Sequence, residues 1–580
     1  MPVNRATSTA TSTGFTIALT SGQAQCGDSP SGVYPVRIQL VDTTNGQVVG
    51  GITTHLVYAD VAANTVKLQV ALVLPIETTL MPSRSSTTSQ LLAHPTAALE
   101  PSSEAAIAAV TGTVAAVTAH STVPVTLEAS PQTVMALDSS PATSPTVGAL
   151  ASLAATGSGH QFASAPFAPV NATSLVSGGL SGELATQVTR GSQVLASTID
   201  RSNAGTASAW FTNDTLDTAT LGQLEANGYR QVVLPAGDVE TSPTNGSAAE
   251  PFQLASSASS PITAFTSNAD LASRFSGSPT NPALAAYQLA AELAQIYYEK
   301  PNDTAPRAVV ALPPNGWSDS PEFVNALLSA LDASPVVQPV TTKDLFNAFP
   351  TPSSCRGSCK LTAGTGGSDL PVEAVRLQRQ RIAGFTTAAP SGTGRGVASQ
   401  LGDLVLSGES ERLRSNQQSS VLRNTGAALD AQLGQLLVAG DQTVTLTSQR
   451  GRVQVVFVSN LSYPVVGTLT LTSDKLLFPN GETQAVTIIP SHTTVSEVNV
   501  STRASGLFKV DITVRSPAGD LVLTSGQVTV RSTATSVVGI LLSAGAVAVL
   551  VVWWLRTSRR RRATRRLDEA GVVGIPPEPP

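Results

Sequence analysis

The feature that most constrains this chain is an uncharged stretch of twenty residues near its carboxyl end, 536–555, with the sequence SVVGILLSAGAVAVLVVWWL. A helix of this length spans about 30 Å, which is the thickness of the hydrocarbon core of a bilayer. Trp553 and Trp554 come at its end, and aromatic residues favour the membrane interface. The sequence therefore predicts one transmembrane helix.

The residues that follow this stretch predict its orientation. Seven arginines fall within positions 556–566, whereas the twenty residues before the stretch contain one cation, Arg531. Basic segments beside a membrane span stay preferentially in the cytoplasm. We therefore expect a cell-membrane protein with a basic cytoplasmic tail at 556–580 and the bulk of the chain outside the cell. The lipid bilayer is then its first expected partner. The alternative is a nucleic-acid-binding basic run beside a core helix.

This orientation requires an export signal. The first twenty residues, MPVNRATSTATSTGFTIALT, hold one arginine and lack a long apolar run, so they do not resemble a secretory signal peptide. Either the start of the sequence is incomplete or the single span acts as its own insertion signal. We expect the first, because a long domain before a lone span usually reaches the outside through an N-terminal signal.

Charge and cysteine content narrow the classes of function. The chain has a formal charge of −5 at pH 7, and seven of its 34 basic residues lie in the tail, so the remainder is more acidic still. An acidic surface repels nucleic acid, and we expect no nucleic-acid partner. Cys355 and Cys359 stand close together in CRGSC, which favours a small disulfide in an oxidising exterior. Unpaired thiols are the alternative, and a zinc site lacks further ligands nearby.

Residues 1–78 are predicted to be a partial β-sandwich domain. The segment VYPVRIQLVD alternates apolar and polar residues, Asn45-Gly46 favours a hairpin turn, and a further strand carries Leu68 and Val70. Three or four strands are too few for a closed sandwich.

Residues 79–350 are predicted to form an α/β barrel-like domain. Short apolar strands such as PVTLEA and QVVL alternate with helices, which begin at Asn281-Pro282 and Ser320-Pro321 with a capping side chain before a first-turn proline. This order is typical of a parallel sheet that is closed or nearly closed into a (β/α) barrel. Ligands then meet the loops at the carboxyl ends of the strands.

The remaining residues before the span are predicted to be a connector and a second β domain. Residues 351–438 read as a loop followed by helices. Residues 439–532 contain about seven short strands such as FKVDITVR, which indicates an immunoglobulin-like β-sandwich next to the membrane. The expected fold class is thus multidomain, with an α/β barrel, an all-β sandwich and one C-terminal transmembrane helix.

Several segments, GVYPVRIQL, PVTLEASP, APFAPV, QVVLP and VTVRSTA, resemble an uncharacterised family of actinobacterial, membrane-anchored cell-envelope proteins. The resemblance covers most of the chain. Members are often encoded beside the flippase for lipid-linked peptidoglycan precursors, and the resemblance therefore implies a role in the cell envelope. The family has no established activity.

The segment AWFTND…LEANGYRQVVLP also resembles the barrels of polysaccharide deacetylases and of glycoside hydrolases that act on α-glucans. Those hydrolases place a nucleophilic Glu shortly after such a Trp, where this chain has Asn213 and Asp214. Those deacetylases bind a metal through an Asp and a His-x-x-x-His pair. The five histidines of this chain have no such spacing, so we expect no metal and no other cofactor.

The candidate catalytic residues are Glu128, Asp214 and Asp238, which follow or end strand candidates. A retaining glycosidase needs two carboxyl groups about 5 Å apart. Each candidate also has a structural interpretation, as a core carboxyl, a helix cap and a turn former respectively. Trp210 and Trp317 are candidate sugar-stacking residues, or else part of the core.

Two functions follow from these observations. The first is a non-catalytic binding or scaffold protein in cell-envelope or peptidoglycan assembly, with a cell-wall glycan or a polytopic envelope protein as partner. The alternative is a carbohydrate-active, glycosidase-like hydrolase tethered to the membrane. Carboxyl groups of Glu128 and Asp214 within about 6 Å in an open cleft would favour the enzyme. Their burial or dispersal would favour the binder.

Overall fold

The computed structural model describes most of the chain in thirteen segments. These are residues 31–62, 65–199, 209–240, 244–255, 261–275, 281–301, 303–317, 320–349, 359–362, 369–440, 443–502, 505–533 and 537–565. The chain divides into two units. The first comprises Met1–Gln90, Pro95–Gln378 and Gly402–Gly426, and the second comprises Leu91–His94, Arg379–Leu401 and Ala427–Pro580.

The first unit starts with an antiparallel hairpin of β1 (Gly32–Val41) and β2 (Val48–Tyr58). Its turn contains Gly46 with a φ of 72°, a left-handed conformation that glycine adopts without steric cost. The Gly46 N–H donates to the Asp42 carbonyl at 2.8 Å. The hairpin predicted at Asn45-Gly46 is therefore present.

The other strands of the first unit are short. They are β3 (Leu68–Ile76), β4 (Leu80–Pro82), β5 (Leu99–Pro101), β6 (Thr126–Ala129), β7 (Gln161–Phe162), β8 (Ala209–Phe211), β9 (Gln231–Pro235), β10 (Thr244–Asn245), β11 (Ala248–Ala249), β12 (Phe252–Leu254), β13 (Ile262–Ser267), β14 (Arg307–Ala311) and β15 (Val337–Val340).

Helices alternate with these strands. They are α1 (Thr88–Ala93), α2 (Glu104–Ala119), α3 (Pro131–Asp138), α4 (Ser144–Ala154), α5 (Ala172–Ser177), α6 (Ser181–Thr198), α7 (Thr218–Ala226), α8 (Ala269–Phe275), α9 (Pro282–Tyr298), α10 (Pro321–Asp332) and α11 (Thr342–Ala348). The predicted caps are present, because Asn281 accepts from the Leu284 N–H and Ser320 from the Phe323 N–H.

Seven strands form a continuous parallel path in the order β7-β6-β3-β14-β13-β9-β8. Strand β15 adds to β3 in parallel, while β11 and β12 pair antiparallel with β14 and β13. The mixed α/β architecture predicted for this region is therefore present. Within the described residues no pairing joins β7 to β8, and closure into a barrel stays an interpretation.

The structure differs from the sequence prediction at β3, which lies in the middle of this sheet and not in a separate first domain. It pairs with β6, β14 and β15. Leu72 and Leu74 face a cluster shared with the helices, whereas Ala71 and Val73 face the cluster on the other side of the sheet. Burial on both faces produces a nearly continuous apolar run. The domain boundary predicted at residue 78 consequently falls after a strand of the parallel sheet.

The helices predicted as a connector are α12 (Val372–Ala388), α13 (Gly392–Gly408) and α14 (Ser415–Leu433). Residues 402–426 belong to the first unit. Within that unit, Arg190 of α6 binds both carboxylate oxygens of Asp403 at 2.7 Å. This part of the predicted connector is therefore integral to the sheet-containing unit.

The described residues of the second unit form nine further strands. They are β16 (Leu436–Val438), β17 (Thr443–Leu446), β18 (Arg450–Ser459), β19 (Val465–Thr472), β20 (Leu476–Leu477), β21 (Thr483–Ile488), β22 (Thr493–Thr502), β23 (Gly506–Arg515) and β24 (Val522–Ser532). They form a four-stranded sheet, β16-β18-β22-β20, and a five-stranded sheet, β17-β24-β23-β19-β21. Buried and exposed residues alternate along β23, as predicted for a strand with one wet face. The immunoglobulin-like topology stays a prediction.

The last described element is α15 (Val537–Arg565). Its segment Leu541–Arg559 is long and apolar enough to cross a membrane, and none of it is buried against the rest of the chain. Leu542 and Trp554, for example, expose about two thirds of their surface, 69% and 66%.

Candidate functional site

The carboxyl ends of five parallel strands, β3, β6, β7, β8 and β14, surround a cavity of about 70 Å³ in the first unit. Glu77 follows β3, Glu128 lies in β6, Asp214 follows β8, and Asn315 follows β14. Strand ends on one edge of a parallel sheet are where such folds bind ligands, because the loops there are not needed to hold the sheet together. We refer to this cavity as the carboxyl pocket.

A further segment completes the pocket from outside the sheet. Glu411 and Arg412 lie between α13 and α14 and also line the cavity. The Glu411 N–H donates to the Pro169 carbonyl at 2.9 Å, which anchors this segment to the loop after β7. The pocket therefore contains four carboxyl groups and one guanidinium.

Arg412 joins two of these carboxyl groups. Its Nε donates to Glu77 Oε1 at 2.8 Å, and its NH1 lies 3.2 Å from Glu411 Oε1. The three side chains are only 13–16% exposed. Charge-assisted bonds of this kind are stronger than neutral ones. Arg412 thus neutralises part of the acidic cluster from within.

Asp214 connects two of the strand-end loops. The Asn315 Nδ2 donates to Asp214 Oδ1 at 3.0 Å, and the Asp214 N–H donates to Thr212 Oγ1 at 2.9 Å. The neighbouring Asn213 donates through Nδ2 to the Pro313 carbonyl at 2.8 Å. These bonds hold the loop after β8 against the loop after β14.

Glu411 and Asp214 form a carboxyl pair. Burial raises the pKa of Glu411 well above its ordinary value, and a hydrogen bond to Asp214 and the charge of Asp214 raise it further, against the opposing charge of Arg412. Two carboxyl groups can hydrogen-bond only if one of them carries a proton. Burial and the neighbouring Asp214 therefore favour the protonated form of Glu411.

Glu128 is a second neutral acid in the pocket. Burial, followed by the charge of Glu77, raises its pKa to about 8, while Arg412 acts in the opposite direction. At neutral pH the protonated form dominates, so Glu128 can donate a hydrogen bond or a proton. Carboxyl groups with a raised pKa in a cleft are frequent at functional sites, although structural networks also produce them.

The structure brings together two of the three predicted catalytic residues. Glu128 and Asp214 line the same cavity, and Glu411, which also lines it, is the carboxyl group whose pKa Asp214 raises. Asp238 does not line the pocket. It ends the 3-10 turn Ala236–Asp238, and its carboxylate bonds to the Leu216 backbone. Its position agrees with the structural interpretation as a turn residue.

Sequence comparison identifies the family. Residues 6–578 match the profile described as a family of unknown function, DUF6049. The chain belongs to the DUF6049 family. Among curated proteins, no match is found for it.

Three solved structures illustrate what this DUF6049 chain is similar to. One is a 4-α-glucanotransferase from Thermococcus litoralis, with 9% identity and a TM-score of 0.42 over 77% of this chain and 85% of that one. Another is a GH57 branching enzyme from Thermococcus kodakaraensis, with 9% identity and a TM-score of 0.41 over 64% and 89%. The third, from Mycobacterium smegmatis, is assigned as a polysaccharide deacetylase, with 15% identity and a TM-score of 0.33 over 51% and 96%. Scores this low establish neither a fold nor an activity.

The predicted sugar-stacking residues of the DUF6049 chain are largely used in packing. Trp210 lines the carboxyl pocket but is 5% exposed and meets Tyr229 edge to face at 5.2 Å. Trp317 lies outside the pocket, where its indole N–H donates to the Phe275 carbonyl at 3.2 Å and its ring contacts Phe323. A sugar needs an open aromatic face, and Trp210 is too buried to present one.

Four polar residues of this candidate site were not predicted from the sequence, namely Glu77, Asn315, Glu411 and Arg412. Glu77 directly follows β3, so the strand-end rule would have found it had β3 been assigned to the parallel sheet. Glu411 and Arg412 carry no local signal, because Arg412 reaches Glu77 across 335 positions of sequence.

Cys359, one of the two cysteines of the predicted disulfide, lies in the described segment 359–362. Cys359 is disulfide-bonded. Cys355 lies outside the described residues, and the pairing of the two stays a prediction. Across the part of the chain that the structure describes, no group of three or more His, Cys, Asp or Glu residues is placed to hold a metal ion.

Proposed function

We propose that this DUF6049 protein is a single-pass membrane protein whose first unit binds the end of a hydroxyl-rich ligand, a cell-wall glycan, in the carboxyl pocket without cleaving it. The observation that carries the proposal is the neutralisation of the carboxyl groups within the pocket. Arg412 binds Glu77 and Glu411, and burial and the neighbouring Asp214 raise the pKa of Glu411. A retaining glycosidase needs an ionised nucleophile that is not engaged in this way.

The chemistry of the lining supports a hydroxyl-rich ligand. Neutral Glu128 and the Asn315 amide are hydrogen-bond donors, while Asp214 and Glu77 supply acceptors. Phe211 and several prolines add apolar surface. Sugar hydroxyls both donate and accept hydrogen bonds, and sugar rings have apolar faces. A cavity of about 70 Å³ has room for the end of such a ligand and not for a whole chain.

The membrane part of the proposal rests on α15 and on the arginines that follow the apolar segment. Helix length and composition suit a span, and the excess of arginine at 556–566 favours a cytoplasmic tail. The sheet-containing unit would then lie outside the cell, among the glycans of the envelope. The resemblance to actinobacterial envelope proteins agrees with this location.

A polytopic envelope protein is a further proposed partner, in line with a scaffold role. Gly539, Ser543 and Gly545 are small residues spaced along the apolar segment, and small residues allow transmembrane helices to approach closely.

The binding proposal is tested by titrating the full chain, reconstituted in lipid nanodiscs, with the peptidoglycan disaccharide of N-acetylglucosamine and N-acetylmuramic acid. We expect saturable heat for the wild type. Asn315→Ala removes a donor at the pocket and should weaken binding roughly fivefold to tenfold. Asn416→Ala, on an exposed position of α14, is the matched control and should leave binding unchanged. Unsaturable heat, or equal binding by both variants, would contradict the proposal.

The raised pKa of Glu128 favours a second candidate, a glycosidase-like hydrolase. A neutral carboxyl near pH 7 is what a general acid needs to protonate a leaving glycosidic oxygen. Asp214, freed from Glu411 when a substrate enters, would then serve as the second carboxylate. The test measures new reducing ends released from a glycan. Release by the wild type that is abolished in Glu128→Gln would support the hydrolase over the non-cleaving binder.

A further inference from the structure

The first unit contains a second cavity of about 170 Å³, which shares no lining residue with the carboxyl pocket. Its walls come from β4, β5, α3, the loop before α5 and the end of α13. Ser139 lines it and is exposed, so the cavity opens to solvent beside the end of α3. We refer to it as the α3 cavity.

The α3 cavity is mostly apolar. Leu80, Leu99, Met135, Phe167 and Leu404 are among its lining residues. An apolar cavity of about 150 Å³ can hold a benzene-sized molecule. The size and lining of the α3 cavity thus suit a small apolar group.

The lining residue Gln132 carries a buried polar atom without a hydrogen-bond partner among the described residues. Gln132 is 4% exposed, and among the residues that the structure describes its Oε1 accepts no hydrogen bond. A buried amide oxygen without a donor is unfavourable. The cavity therefore offers an acceptor that a ligand could satisfy.

Asp403, a charged lining residue of the α3 cavity, is already compensated. Asp403 is 4% exposed, and Arg190 binds both of its carboxylate oxygens at 2.7 Å. A buried carboxylate held by a bidentate guanidinium has little remaining attraction for a cation. The lining consequently favours an uncharged ligand.

We propose that the α3 cavity is a binding site for a small, uncharged, apolar alcohol, whose hydroxyl donates to Gln132 Oε1 while its hydrocarbon part fills the space between Met135, Phe167 and Leu404. The site is independent of the carboxyl pocket. It binds its ligand whether or not the carboxyl pocket binds a glycan.

The test uses 4-fluorobenzyl alcohol as the probe and 4-fluorotoluene as the matched molecule without a hydroxyl. Fluorine NMR of the full chain in nanodiscs, with empty nanodiscs as background, measures a saturable bound signal. We expect the alcohol to bind the wild type, and Gln132→Met, which preserves side-chain length, to weaken it roughly fivefold to tenfold. The toluene should bind Gln132→Met at least as well as the wild type.

Ala136→Leu provides a second, independent variant, because Ala136 lines the cavity and a larger side chain there occupies its volume. Both probes should lose saturable binding in this variant. The proposal is overturned if neither probe saturates with the wild type, if Gln132→Met binds the alcohol as tightly as the wild type, or if filling the cavity has no effect. Folding of each variant is verified by its circular dichroism spectrum.

Discussion

At the scale of single residues, the surroundings of each carboxyl group in the pocket determine its charge more than the residue type does. Glu77, Glu128 and Glu411 are chemically identical, yet burial and neighbouring charge raise the pKa of the latter two, while Arg412 holds Glu77 and Glu411 through its guanidinium. Burial disfavours the charged form, and a nearby carboxylate does the same. Neutral acids and an ion pair therefore coexist within one small cavity.

The raised pKa of Glu128 makes stability depend on pH. The pKa of Glu128 is 4.5 in the unfolded chain and about 8 in the folded one. At a pH between these two values, folded Glu128 holds a proton that the unfolded chain has lost. Stability therefore falls as pH rises through this window, by a few kcal/mol in all. Glu128→Gln removes this loss. We expect its thermal unfolding midpoint to equal the wild-type value near pH 5 and to exceed it by several degrees at pH 8. A difference independent of pH would contradict the assignment.

Loss of Arg412 should destabilise the first unit. Arg412→Gln leaves the buried Glu77 carboxyl group without its cation, and breaking such a pair costs about 3 kcal/mol. Arg452→Gln is the control, since the Arg452–Glu497 pair of the second unit is 69% and 43% exposed and should contribute less than about 1 kcal/mol. Denaturant unfolding, followed for each unit separately, measures both. Equal effects would show that Arg412 does not neutralise a buried cluster.

Sequence reasoning located part of this site. Glu128 and Asp214 were found because a polar residue at a strand end is visible in the local pattern. Glu411 and Arg412 were not, since only the folded chain brings them to Glu77 and Asp214. A raised pKa likewise arises from burial and neighbouring charge, and neither is encoded in a short motif.

At the scale of elements, local patterns predicted the helix starts well and misassigned one strand. Asn281 and Ser320 act through their own side chains within one turn, so sequence suffices. The position of β3 depends on its pairing with β14, more than 230 residues later. The apolar run in the second half of β3 is typical of a buried parallel strand. At its start, however, Leu68 and Val70 alternate with Lys67 and Gln69, and this alternation favoured a half-exposed strand.

Helix α6 sets the position of the loop after β7. A Cβ on Gly191 would collide with the Ala165 carbonyl, and Ala165 and Pro166 line the carboxyl pocket. Gly191→Ala should therefore destabilise the first unit by about 2 kcal/mol. Gly182→Ala, in the same helix but with open space around it, should be neutral or stabilise by up to about 1 kcal/mol. The thermal unfolding midpoints of the two variants are compared. Equal midpoints would show that Gly191 does not pack closely against the Ala165 carbonyl.

At the scale of the whole molecule, the sequence predicted the apolar span directly, because twenty uncharged residues are a local feature. It did not predict that residues 402–426 join the first unit. That association depends on long-range bonds such as Arg190–Asp403, 213 positions apart.

The proposed anchor makes a simple prediction. The full chain should remain in the membrane fraction after an alkaline wash, whereas a chain ending at residue 533 should be recovered in the soluble fraction. Protease added to intact cells should cleave the first unit and spare the arginine-rich tail. Retention of the shortened chain on the membrane, or cleavage of the tail alone, would be incompatible with the proposed topology.

The central claim, that the carboxyl pocket binds a glycan without cleaving it, is tested most directly by measuring bound ligand and new reducing ends in the same sample. Full-length wild type and Glu128→Gln in nanodiscs are incubated at pH 6 with short peptidoglycan oligosaccharides. Because glutamine mimics the neutral carboxyl, the account predicts similar saturable binding by both and no new reducing ends from either. Cleavage by the wild type that disappears in Glu128→Gln would contradict it.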